Sequence, residues 1–247
     1  MVVFGRFGTK SEFSCLVLQL LLALAMNNLT KKPSTPAYQP QDQSTEKMLL
    51  QRLETTSDED EYFRWMLFTV GYYRGIERAD AAEALLCRFL STASNPEYHV
   101  QCQLALGQIA TDEQKMDKAI AHFGAALDLQ PGSQKIEYIL RNNLGYCLNM
   151  VGRYDEGERH CRAALDLNWT RPSAYRNLGI SFHGQGKIAS AAWALLEAIK
   201  MDSADERARV LLKKLASDHP SLMQQCPWIM AGLDPAGVPL KQETVSG

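Results

Sequence analysis

The dipeptide Leu-Gly recurs at Leu106-Gly107, Leu144-Gly145 and Leu178-Gly179, at intervals of 38 and 34 residues. A glycine inside a helical pattern costs about 1 kcal/mol relative to alanine. Three at corresponding places therefore require a compensating gain, and the close approach of a neighbouring helix supplies one. Self-similarity at this period implies a stack of one supersecondary unit, each copy too small to bury its apolar face alone. The expected fold class is all-α.

Counting each glycine as the eighth residue of a unit starts the units at Val100, Tyr138 and Pro172, with four extra residues before the second. In the first unit the twentieth, twenty-fourth, twenty-seventh and thirty-second positions fall on Ala119, Phe123, Ala126 and Pro131. The second places Gly157, Cys161, Ala164 and Trp169 there, and the third Ala191, Leu195, Ala198 and Ser203. This pattern resembles the tetratricopeptide repeat. The resemblance implies a right-handed superhelical α-solenoid of antiparallel helix pairs, in which small residues at positions eight and twenty let the helices approach and position twenty-four packs between them. It covers three repeats over 100–203 (100–133, 138–171 and 172–203) and extends more loosely over 64–217. Arg64 to Pro96 reads either as a degenerate repeat with Gly71 in the glycine position or as an irregular cap. Residues 204–217 carry Val210, Leu211, Leu212 and Leu215 beside Arg207, Arg209, Lys213 and Lys214, the pattern of an amphipathic capping helix.

Upstream, residues 1–43 combine an apolar segment with a proline-rich stretch. Cys15 to Leu22 follows Arg6 and Lys10 and ends at Ala23-Leu24-Ala25, as in an export signal. The run is shorter than the ~20 residues a spanning helix needs. Alternatively Met26, followed by polar Asn27 to Lys32, is the true start. The second reading leads, because free cysteines downstream suit a reducing cytoplasm; the first places the protein outside it. The run from Pro33 to Gln43 is expected to be an extended, mobile linker. Over 44–99, helical spacing covers Thr45 to Leu53, Glu61 to Tyr73 and Ala79 to Leu90. The acids Asp58 to Glu61 suit a helix start, where carboxylates complement the dipole, and lack the spacing of a calcium loop. Residues 218–247 are expected to form a flexible tail. Its cluster of Trp228, Ile229 and Met230 either folds back over the last helices or fills the chain's own groove.

Hydrophobic residues make up 46% of the chain, enough for a core. The 26 basic residues against 28 acidic ones leave no cationic excess for phosphates, so no nucleic acid is expected as a partner. The six cysteines form no CxxC pair and have no histidines at zinc spacing, so buried packing is their expected role. None of the five histidines sits in a catalytic signature, and GxGxxG, Walker and HExxH patterns are absent. Gly184-Gln185-Gly186 falls in register at a turn between helices. The chain is therefore expected to be neither an enzyme nor a holder of metal or cofactor.

The resemblance further implies that the first helix of each repeat lines a concave wall with its second, fifth, ninth and twelfth positions. These are Gln101, Leu104, Gln108 and Thr111; Ile139, Asn142, Tyr146 and Asn149; and Ser173, Arg176, Ile180 and His183. Asn143 and Asn177 occupy the sixth position. The expected groove thus comprises Gln101, Gln108, Asn142, Asn143, Tyr146, Asn149, Arg176, Asn177, Ile180 and His183. It is amide-rich and almost uncharged, suited to hydrogen-bonding a peptide backbone. The lysines of the family's two-carboxylate clamp are replaced by Leu104, Ser173 and Asn177, leaving Arg176 as the only nearby cation, so tails of EEVD type are expected to bind weakly or not at all. The function implied is a scaffold binding a peptide or helix of a protein partner. The alternatives are a dedicated chaperone for a secreted or membrane-bound client, or a self-assembling component with its groove filled by its own tail. Homo-oligomers are left open.

Overall fold

The computed structural model describes residues 40–221 together with Cys226 and Trp228. Among the described residues every regular element is an α-helix: α1 Pro40–Thr55, α2 Glu59–Gly75, α3 Ala79–Leu90, α4 Pro96–Asp112, α5 Met116–Asp128, α6 Gln134–Met150, α7 Tyr154–Leu167, α8 Pro172–Gly184, α9 Ile188–Met201 and α10 Glu206–Asp218. The chain divides into two compact units between His122 and Phe123, within α5. The apolar segment, the question of export signal or start, residues 33–39, Ile229, Met230 and the end of the tail lie outside the described residues.

The linker expected over 33–43 is corrected at its end, because Pro40 opens α1. Proline suits the first helical position: the N–H it lacks would find no partner there, and its fixed φ is already helical. The acids before Tyr62 do start a helix. Asp58 caps α2 by accepting from the Glu61 N–H at 2.8 Å, with Glu59, Asp60 and Glu61 in the first turn. Along α2, Phe63, Met66, Leu67, Val70 and Tyr73 fall on one stripe and are buried with Leu85, Leu86 and Phe89 of α3 and Cys102, Leu106 and Ile109 of α4. Within this first core the Phe63 ring stacks on Tyr98 at 4.1 Å between centroids.

Four helix pairs close with the same turn. A residue in the left-handed region follows the first helix: Glu77 (φ 58°), Gln114 (61°), Gly152 (80°) and Gly186 (74°). The next N–H then reaches back five residues, from Arg78 to Tyr73 O, Lys115 to Ala110 O, Arg153 to Leu148 O and Lys187 to Phe182 O, at 2.8 to 2.9 Å. This double-bonded cap satisfies carbonyls that the helix end leaves free. The α2–α3 pair therefore turns as the three later pairs do.

In the second unit the glycines mark close helix approach. A Cβ on Gly145 would stand 2.7 Å from Cys161 Sγ, and one on Gly179 would stand 2.8 Å from Leu195 Cγ. The carbonyls of Gly157 and Ala191 at position twenty stand 3.2 and 3.3 Å from the same two Cβ positions, so positions eight and twenty approach, with position twenty-four packed against them, as the resemblance implied. Ala119, Phe123, Ala126, Cys161, Ala164, Ala191, Leu195 and Ala198 are all buried, whereas Trp169 is exposed. Leu212 lies 34 residues after Leu178, and with Ala208 and Leu215 it seats α10 on the core of α8 and α9. Half-buried Cys226 packs against the same core, while Trp228 is exposed. Cys102, Cys147 and Cys161 are buried as expected; Cys87 is exposed, contrary to expectation, because it lies on the outer side of α3. Burial pushes the Cys102 and Cys161 thiols up to about 12.

Candidate functional site: the face of the first helices

The expected groove residues divide between the units, Gln101 and Gln108 in the first and the other eight in the second. Gln108 is only 7% exposed. Its Oε1 accepts from Arg74 Nη1 at 3.0 Å, and Arg74 also donates through Nη2 to Asp112 Oδ2 at 2.6 Å. Gln108 is thus an internal tie between α2 and α4, which corrects its assignment to a peptide-binding wall. Arg74, the centre of this tie, was not singled out by sequence reasoning; its partners lie 34 and 38 residues away, beyond any local pattern. Gln101, Leu104 and Thr111 are half-buried.

A similar correction applies in the second unit, where Asn149 and Asn177 are each 4% exposed. Asn149 Nδ2 donates to Asn177 O at 2.8 Å, and its Oδ1 accepts from Ser181 Oγ at 2.8 Å. Asn177 Nδ2 in turn donates to Asn142 O at 3.2 Å and to Asn142 Oδ1 at 3.1 Å. Asn149 and Asn177 thus tie α6 to α8, with half-buried Asn142 accepting at the edge of the ladder, and the two buried amides cannot clamp a foreign backbone. Asn149 turns inward because it stands in the last turn of α6, against Gly157, where no Cβ obstructs it. A buried amide must find partners within the fold, and here Asn177 and Ser181 provide them.

The side chains left toward the open face are Asn142, Asn143, Tyr146, Arg176 and Ile180, all half-buried, and exposed His183. Asn142 Nδ2 donates to Asn143 Oδ1 at 3.3 Å. The His183 ring lies 6.5 Å from that of His219, edge to face. Arg176 is bound to Asp205, whose other oxygen caps α10 by accepting from the Ala208 N–H at 3.0 Å.

The expectation of a nearly uncharged wall with Arg176 as its one cation is also corrected. Arg207 on α10 joins Arg176, Asp205 and Tyr146 in one electrostatic cluster. Burial, followed by repulsion from Arg176, lowers its pKa. Burial raises the Tyr146 hydroxyl, helped by Cys147 and opposed by Arg207 and Arg176. Arg207 Nη2 is buried without a hydrogen-bond acceptor. The sequence did carry a signal for this residue, since the 34-residue step from Ile139 to Ser173 lands next on Arg207.

The open face can donate and accept hydrogen bonds, offer apolar contact at Ile180 and attract negative charge. Among the described residues no group of three or more His, Cys, Asp or Glu side chains is arranged to hold a metal ion, and no helix is long and apolar enough to cross a membrane.

Comparison with known proteins bears on the fold. The tetratricopeptide repeat family profile matches residues 100–133. An uncharacterised tetratricopeptide repeat-containing protein of Arabidopsis thaliana is 30% identical over 117 residues, covering 44% of this chain and 14% of that protein. The peroxisomal targeting signal receptor of Kluyveromyces lactis is 28% identical over 127 residues, covering 51% and 22%. The chain thus spans less than a quarter of the length of either relative. Among solved structures, BtubC from P. vanneervenii superposes with a TM-score of 0.61 at 13% identity, covering 84% of this chain and 98% of that one. MamA from Desulfovibrio magneticus RS-1 gives 0.54 at 16%, covering 74% and 99%. YrrB, described as a tetratricopeptide protein with an unusual peptide-binding site, gives 0.53 at 16%, covering 78% and 97%. At these identities the structures share the fold alone.

Proposed function

We propose that this chain, a member of the tetratricopeptide-repeat superfamily, binds a segment of a partner polypeptide along the face of α6, α8 and α10. The coarser statement, a protein–protein interaction scaffold, follows from the repeats themselves and from relatives of that kind. The observation carrying the finer one is the division of labour on this face. Asn149 and Asn177 are consumed in joining α6 to α8, whereas Tyr146 and Ile180 remain half-buried toward the open side. An aromatic hydroxyl on α6 and an aliphatic side chain 34 residues later on α8 suit a bound peptide that needs an anchor and a few hydrogen bonds. The peptide-binding site described for YrrB, which shares the fold, supports the reading. A dedicated chaperone role would use the same face on one client.

The test is capture of partners from the native cell by the full chain and by Tyr146→Ala/Ile180→Ala. Far-ultraviolet circular dichroism checks that the variant keeps its helices. Partners lost from the folded variant are the expected result. Equal retention would move the functional surface elsewhere and refute the proposal.

A further inference from the structure

We propose that Arg207, flanked by Tyr146 and Arg176, receives one carboxylate side chain of an acidic partner segment lying on α6, α8 and α10. The inference rests on the peptide-binding reading and adds the chemistry of the bound segment.

Position gives the first argument. Residue 207 continues the 34-residue step from Ile139 and Ser173, so α10 presents Arg207 where α6 and α8 present wall residues. The same step carries Asn142 to Arg176 and then to Val210, which is exposed. The capping helix therefore prolongs the open face of the two repeats before it.

Charge gives the second. Two guanidinium groups share one carboxylate, and Asp205 is already engaged by Arg176 and by the Ala208 N–H. The cluster keeps a net charge of about +1, which one carboxylate neutralises and a phosphate dianion would overshoot. Arg207 Nη2 sits out of solvent with no acceptor, and its neighbours Arg176 and Tyr146 offer donors of their own. A buried guanidinium N–H is unfavourable until an acceptor arrives, and charge-assisted bonds to carboxylate are the strongest it forms. Half-buried Ile180 and exposed Val210 supply apolar contact for the rest of the segment. The expectation of weak binding to acidic tails counted cations over three repeats; α10 adds one that this count omits.

The experiment selects random displayed peptides against the full chain. Binders are then synthesised with amidated C termini, so that any carboxylate is a side chain, and measured by fluorescence anisotropy. The expected result is a shared Asp or Glu whose replacement by Asn or Gln weakens binding at least about tenfold. R207Q is expected to weaken the acidic peptide by a similar factor and to leave its amide counterpart unchanged. Selected peptides without a required acid, or an acidic peptide bound equally by R207Q, overturn this inference and leave the peptide-binding face standing. Binding seen only after removal of residues 222–247 identifies the chain's own tail as occupant and also overturns it. Failure to select any peptide overturns the inference and the proposed function together. The peptide exchange of acid for amide can still overturn the inference if R207Q loses its fold.

Discussion

Gly145→Ala is the sharpest perturbation of the repeat packing. The added Cβ would stand 2.7 Å from Cys161 Sγ, 3.2 Å from Gly157 O and 3.4 Å from Cys161 N. Carbon needs roughly 3.5–4.0 Å from such atoms, so Sγ must retreat while two backbone atoms hold the other sides. Overpacking of this kind costs about 1–3 kcal/mol, and alanine recovers about 1 kcal/mol of helix propensity. The net expectation is a loss of up to about 2 kcal/mol. Gly124→Ala serves as the control, because nothing lies within 4 Å of its Cβ position in α5. There only propensity acts, and a gain of about 0.5–1 kcal/mol is expected. Cys161→Ala removes the nearest clash, so Gly145→Ala/Cys161→Ala should be more stable than the sum of its parts by about 1 kcal/mol. Urea unfolding followed by circular dichroism measures all four variants. A Gly145→Ala that gains as much stability as Gly124→Ala, or strict additivity with Cys161→Ala, would refute the reasoning that the glycine is held by helix approach.

Asn149→Ala removes two buried hydrogen bonds between α6 and α8, while the Ser181 hydroxyl and the Asn177 carbonyl keep the 3.1 Å bond they share, and it should cost about 1–3 kcal/mol in the same urea assay. Gln114→Gly relieves a left-handed residue that carries a side chain, and a gain of about 1 kcal/mol is expected as a higher urea midpoint. Glu158 yields a pH signature. Burial pushes its carboxyl up, but hydrogen bonds from Gln185, Lys187 and Arg162 together hold it below the ordinary 4.5. A depressed folded pKa stabilises above the unfolded value and ceases to do so as pH falls through the folded one. Glu158→Gln should therefore be less stable than wild type at neutral pH and converge with it in acid; a constant gap in thermal midpoint across that range would count against the pairing. Among the described cysteines, exposed Cys87 should take up a thiol reagent first in the native protein, whereas Cys102 and Cys161, buried with thiols raised to about 12, should react only on unfolding, as peptide mapping of labelled sites would show.

Sequence alone determined the features set by local periodicity. Glycine spacing set the register, and the family resemblance it carried implied that position twenty-four packs between the paired helices, where Cys161 and Leu195 stand against Gly145 and Gly179. Apolar stripes placed the helices to within a few residues, because a helix signals itself every 3.6 residues along its own chain. At Pro40 the same reasoning erred by treating proline as a breaker where it serves as a first helical residue. Direction was another matter. Asn142 and Asn149 stand on one helix seven residues apart and read alike as wall amides, yet Asn149 closes a buried ladder with partners 28 and 32 residues away. Gln108 likewise belongs to Arg74, and Arg176 to Asp205. A polar side chain records only its capacity to hydrogen-bond. Whether that capacity faces solvent, a ligand or the next helix depends on what folding brings opposite it, and tertiary structure alone turned Gln108, Asn149 and Asn177 inward; the 34-residue step reaches Arg207, but only the fold grouped it with Tyr146 and Arg176.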